Sequence, residues 1–313
     1  MPKLSRRGMG KVLLAPLFCR ISLKAQAARM QPAATSSSDA INYPSGSAKR
    51  GVTRTYRADA NILLLGMSIY RREGVGSGRA SIEETTEGAA LRRALFFAAG
   101  SDAKRAHGFN RLGWMREVVT GPASAPSDIS YFGVLTSSPE ESLDHARKSA
   151  ADSPSPQTTF SAVNGRNTTG RSRSAVARFD FPSTAPWSDQ GLIDRAHAAF
   201  QSNIPWRETS WPNSQQQAPP TFLSQLTTLL AQRALRCSGG YVYNEQEYLL
   251  DLESQRADRN AVGSFAARGQ IRNLRTGHNT RFRVWLEDGS DLPLRIEFQP
   301  RSFLKLTFTA VPA

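Results

Sequence analysis

Cysteine, histidine and long apolar runs are all scarce in this chain. Its 313 residues include two cysteines, Cys19 and Cys237, and four histidines. Two cysteines cannot build a disulfide scaffold, and no C-x-x-C pair offers half of a zinc knuckle. No histidines sit at i, i+4 spacing and H-E-x-x-H is missing, so a helical zinc site is excluded. No stretch of 18 apolar residues exists, which leaves no helix able to span a bilayer. The G-x-S-x-G elbow and the P-loop are missing too. Gly74-x-Gly76-x-Gly78 falls after an extended stretch, as a dinucleotide loop would. The alternating Arg79–Glu83 stands where a pyrophosphate-binding helix would have to start, so the glycines are expected to form a hairpin turn. No cofactor is expected.

The charge is plentiful but unevenly placed. Of 40 basic residues, 11 lie in residues 1–57 against a single acid, Asp39, whereas residues 58–313 hold 29 basic and 25 acidic residues. The overall +14 therefore describes the first segment, and a nucleic-acid binder is disfavoured. That segment has the features of a leader. Ser5, Arg6, Arg7 and Lys11 match the spacing of a twin-arginine export motif. An apolar run, Val12 to Phe18, follows, and Ala25-Gln26-Ala27 offers small residues to a signal peptidase, with cleavage expected after Ala27. An acid-free, Arg- and Ser-rich start also suits a mitochondrial or plastid transit peptide. Residues 28–52 are expected to be a disordered linker.

Residues 53–152 are expected to be β-rich. Thr55–Ile69, Arg79–Glu83 and Tyr131–Thr136 have strand character, and Leu91–Ala99 fits a strand or a short helix. Ser138, Pro139 and Glu141 form a capping box for a helix over 139–151. Ser153-Pro154-Ser155-Pro156 marks a break. Residues 153–313 follow either as a second unit or as one domain with the first part. Thr158–Val163 and Ser172–Phe181 are expected to pair through a turn at 164–167. Apolar residues at 192, 193, 196, 199 and 200, and at 222, 223, 226, 229 and 230, predict two amphipathic helices flanking a loop at 206–220. From Tyr241 the period becomes two, predicting strands over 241–253, 264–274, 280–287, 292–298 and 302–309. The expected class is α+β: a curved antiparallel sheet or open β-barrel with two or three packed amphipathic helices.

Phe282-Arg283-Val284-Trp285-Leu286-Glu287-Asp288-Gly289 followed by Leu292-Pro293-Leu294-Arg295-Ile296-Glu297 resembles the end of uncharacterised exported bacterial envelope proteins. The resemblance covers about residues 241–310. It implies a curved antiparallel β-domain similar to the lipoprotein-carrier type, and brings no catalytic residue with it.

The candidate chemistry is sparse. Asp144-His145 and Asp194 with His197 are neighbours on expected helices and fit surface pairs better than catalytic dyads. Cys237 fits a small apolar residue at a helix end. Glu245, Glu247, Asp251 and Glu253 would share one strand face, where cross-strand ion pairs account for them. The strongest constellation is a sheet face: Arg281, Arg283 and Trp285 alternate with apolar residues, as do Arg301, Phe303 and Lys305, while Leu304, Leu306 and Phe308 point the other way. Cations interleaved with aromatics suit a polyanion. The expected function is thus a non-enzymatic exported protein, periplasmic or secreted. It would bind an anionic lipid or envelope polymer on or within its sheet and meet the export machinery through its leader. A hydrolase with a site assembled from distant residues and an organelle-targeted protein are the alternatives.

Overall fold

The computed structural model describes residues 48–64, 67–87, 90–102, 104–105, 112–122, 125–136, 157–182, 184–201, 204–211, 217–255, 265–301 and 304–312. The leader, most of the linker and the expected 139–151 helix with Ser138 lie outside them.

Chain order is β1 (Ala48–Leu64), β2 (Met67–Glu87), β3 (Ala90–Ser101), β4 (Leu112–Thr120), β5 (Asp128–Thr136), β6 (Gln157–Thr168), β7 (Arg171–Pro182), α1 (Gln190–Ala198), β8 (Arg207–Ser210), α2 (Phe222–Ala231), β9 (Arg236–Tyr243), β10 (Gln246–Gln255), β11 (Phe265–Asn273), β12 (Asn279–Leu286), β13 (Pro293–Arg301) and β14 (Leu304–Ala310). All 14 strands join one antiparallel sheet, in the order β8-β7-β6-β5-β4-β3-β2-β1-β14-β13-β12-β11-β10-β9. Short loops between amphipathic strands favour such a meander. With two short helices among the described residues, the balance is more strongly β than the α+β expectation. β5 pairs with β6, so the sheet runs across the Ser153–Pro156 break.

The sheet is open between β8 and β9, yet its two ends meet. Tyr131 of β5 lies 5.2 Å from Tyr243 of β9, ring to ring. The Asn244 N–H donates to the Tyr131 hydroxyl, and Ser174 of β7 donates to Glu245. The 218–220 segment fills the gap: Pro220 O accepts from Val242 N–H, and Pro219 O accepts from Asn167 Nδ2.

Curling gives each strand an inner and an outer face. The inner faces and α2 share one core, in which Leu223, Leu229 and Leu230 of the helix join Tyr56, Leu95, Leu250 and Val284 of the strands. The outer face of β4–β7 is also apolar, through Phe132, Val134, Phe160 and Phe179, and α1 covers it with Leu192, Ile193 and Ala196. Leaving such rings in water would cost about 1.5–3 kcal/mol apiece, which is why this half needs a second layer. Among the described residues, the C-terminal half presents a polar outer face and has no such layer.

Several expectations are corrected. Strand β1 begins at Ala48, inside the expected linker. The β1–β2 pairing continues to Leu64↔Met67, and Gly74–Gly78 lies within β2, which bulges opposite Asp59 where Gly74 takes positive φ (58°). A Cβ on Gly76 would meet the Gly100 carbonyl at 2.2 Å, and one on Gly78 the Ala98 carbonyl at 2.9 Å. These glycines let neighbouring strands approach closely. The 164–167 segment stays in β6, whose turn with β7 falls after Thr168. The expected 206–220 loop contains β8. Expected strand 241–253 is a hairpin bent at Asn244-Glu245, both at positive φ (50° and 57°). In β14, Leu306 and Phe308 of the expected core-facing row pack on the core, while Leu304 stands outside that cluster.

Candidate functional site

The C-terminal meander carries a groove of about 900 Å³ across β9–β14. The register explains its polar lining. One outward row crosses five strands as Ser238, Asp251, Gln270, Arg281 and Gln299. The next crosses seven as Arg236, Glu253, Arg268, Arg283, Glu297, Thr307 and Asp59. Both rows arise from the period of two: Leu252, Phe282 and Phe298 alternate with these residues and turn toward the core.

The acids in the groove are already partnered. Arg236 meets Glu253 at 2.9 Å, and Ser238 donates to Asp251 at 2.6 Å. Glu297 takes an ion pair from Arg295 and lies 3.5 Å from Lys305. Arg268, Arg281 and Arg283 have no carboxylate or hydrogen-bond partner among the described residues. Arg268 stands directly opposite Arg283, a like-charge pairing that weakens a sheet; their other register partners, Glu253 and Glu297, are engaged by Arg236 and Arg295.

Of the residues expected to bind, Arg281, Arg283 and Lys305 line this groove together. Trp285 shares their face but lies under the Arg295 guanidinium, 5.0 Å from the ring centroid. The Arg301 side chain and Phe303 lie outside the described residues. Sequence reading missed Arg268 and Gln270, although Phe265–Asn273 shows the same alternation as its neighbours. The expected acidic row is broken: Glu245 sits at the hairpin tip against Ser174.

The catalytic candidates find structural roles. His197 stacks flat on Phe132, centroids 4.1 Å apart, and its partial burial lowers its pKa despite Asp194. Asp194 accepts instead from Gln190. The Asp144-His145 pair lies outside the described residues. Cys237 is on β9 rather than at a helix end; its thiol points to Leu229 O, and burial raises its pKa. Among the described residues, no His, Cys, Asp and Glu cluster could hold a metal.

A second polar site is buried inside the sheet. Glu117, on the inner face of β4, is fully buried among apolar residues. Its carboxylate accepts from the Thr221 hydroxyl and, at 2.8 Å each, from the Leu223 and Ser224 N–H groups. Those amides open α2 and have no partners within the helix. Burial lifts the Glu117 pKa to about 7, and the three donors hold it back from rising further. The sequence signal was a lone acid in an otherwise apolar row: Met115, Glu117, Val119.

Fold and groove together define a helix-plugged, barrel-like antiparallel sheet with a cationic outer groove. No family model matches the chain, and no curated protein matches it. Among solved structures, it is similar to a β-barrel-like protein of Domain of Unknown Function DUF1849 from Brucella abortus. That likeness has 8% identity and a TM-score of 0.41, covering 83% of this chain and 96% of that one.

Proposed function

We propose that this is an exported binding protein of the bacterial envelope whose β9–β14 groove takes an anionic polymer. The observation that carries the reading is the group Arg268, Arg281 and Arg283: three unpartnered guanidiniums in one groove, two of them in direct register. Guanidiniums grip phosphate, sulfate and carboxylate oxygens in pairs, and a groove crossing several strands suits an extended chain. Binding on the sheet is favoured over binding within it, because α2 occupies the interior.

The test is retention on immobilised polyphosphate. Wild type should bind at low salt and elute as salt rises, since exposed ion pairs are screened. Arg268→Glu, Arg281→Glu and Arg283→Glu combined should abolish retention and leave the circular dichroism spectrum unchanged. A folded triple variant that elutes with wild type would overturn the reading.

A further inference from the structure

The β1–β2 hairpin outruns its surroundings. β3 stops pairing with β2 at Gly76↔Ser101, and β14 stops pairing with β1 at Ile62↔Leu304. Among the described residues, Asp102 N–H and Arg105 still reach the Val75 and Gly74 carbonyls, and past them the two strands pair with each other as far as Leu63↔Ser68 and Leu64↔Met67. The described residues of this end, Ile62, Leu63, Leu64, Met67, Ser68, Ile69 and Tyr70, have Ser68 and the Tyr70 hydroxyl as their side-chain polarity. Met67 is 65% exposed, Ile69 59%, Tyr70 53% and Ile62 41%. These are four of the eight large apolar side chains exposed among the described residues, so the exposure is concentrated here rather than scattered.

Two features say what covers this tip. First, the apolar residues are on both faces of the hairpin. Ile62 and Tyr70 are register partners on one face, and Leu63, the next residue of β1, lies on the other opposite Ser68, with Ile69 in the bulge between the two pairs. A protein docking on one face would leave the other in water, whereas a lipid layer surrounds both. Second, cations stand directly behind the tip on both faces. Arg71, Asn61 and Lys305 form one row across three strands. Arg72, paired with Ala60, occupies the opposite face. Arg71 is shared with Asp59 and Glu73 at 3.4 and 3.2 Å, and Lys305 with Glu297 at 3.5 Å, but Arg72 has no acidic partner among the described residues. An apolar end, a tyrosine at its base and a collar of basic residues is the order in which a membrane interface changes from acyl chain to headgroup.

We propose that the β1–β2 hairpin tip inserts into the interface of an anionic lipid bilayer. Met67, Ile69 and Ile62 enter the acyl boundary, while Arg72 and Lys305 meet lipid phosphates. The insertion is peripheral and orients the groove, which Lys305 also lines, beside the membrane surface.

The test is flotation of the protein, starting at Ala28, with vesicles of phosphatidylcholine alone or mixed with phosphatidylglycerol. Wild type should float with the mixed vesicles and far less with the neutral ones. Met67→Asp combined with Ile69→Asp should weaken binding at least about tenfold, and Arg72→Glu should weaken it on mixed vesicles alone. Ile69→Trp should show a blue-shifted emission when mixed vesicles are added. The Arg268, Arg281 and Arg283 triple variant should still float, which separates the tip from the groove. Undiminished flotation of the Met67, Ile69 variant, or an unshifted tryptophan at position 69, would overturn the proposal. So would a concentration-dependent dimer in sedimentation that the same variant abolishes, because the tip would then be covered by a second copy.

Discussion

Glu117 should make folding stability depend on pH near neutrality. In the unfolded chain its carboxyl titrates near 4.5, and in the fold near 7. The raised value means that the folded state holds the proton more tightly. The stabilisation is therefore fully present below about pH 4.5 and is lost as pH rises through about 7; the separation corresponds to roughly 3 kcal/mol. Of the titratable groups around the carboxyl, Tyr131, Tyr241 and Tyr243 stay neutral in this window because burial raises all three. Glu117→Gln keeps an acceptor oxygen for the α2 amides but cannot ionise. Its stability should stay flatter across the window, so that the wild-type advantage at pH 5 shrinks or reverses by pH 8. Glu117→Ala should cost about 3–5 kcal/mol throughout, since it strands the Leu223 and Ser224 N–H groups in a dry interior and leaves a cavity. Urea melts followed by tryptophan fluorescence, at intervals between those pH values, measure both effects. Parallel wild-type and Glu117→Gln curves would refute the titration argument. A cost of less than about 1 kcal/mol for Glu117→Ala would refute the capping argument.

Two further outcomes follow from the described packing and the leader. A Cβ on Gly165 would fall 2.1 Å from the Tyr131 ring, and one on Gly269 would fall 2.0 Å from the Phe282 ring. Each alanine substitution should destabilise by about 1–3 kcal/mol in denaturant melts. Gly240→Ala meets nothing nearer than 3.8 Å and should stay within about 0.5 kcal/mol; equal costs at the three sites would defeat the argument. In the leader, Arg6→Lys with Arg7→Lys should leave full-length protein in the cytoplasm, read by fractionation and N-terminal sequencing. Continued processing after Ala27 would remove the twin-arginine reading.

The C-terminal meander was legible because its faces differ in polarity: alternation in β12 and β14 assigned Arg281, Arg283 and Lys305 to one side. β4 was not legible for the converse reason. Both of its faces are covered, and the one acid on its inner face, Glu117, broke the apolar row that would have marked it. Gly74–Gly78 misled because glycine serves close strand approach as well as turns. The Asn244-Glu245 bend misled in the opposite sense: Asn244 favours positive φ, but glutamate rarely takes it, and no glycine stood there to mark the turn. Arg268 needed the β11–β12 register before its position opposite Arg283 could be seen.

The placement of β1 bears on the order in which the sheet can be completed. Its partner β14 is made after every other described strand, and Tyr56 waits for Ala310. Until then the β1 edge is an open template, of the kind that recruits wrong strands, and its closure is the most sequence-distant and slowest pairing in the sheet. A chain reopened between β8 and β9, with Thr55 and Val311 already hydrogen-bonded as neighbours, would need no such wait. Every strand in that permuted order would emerge beside the one made just before it.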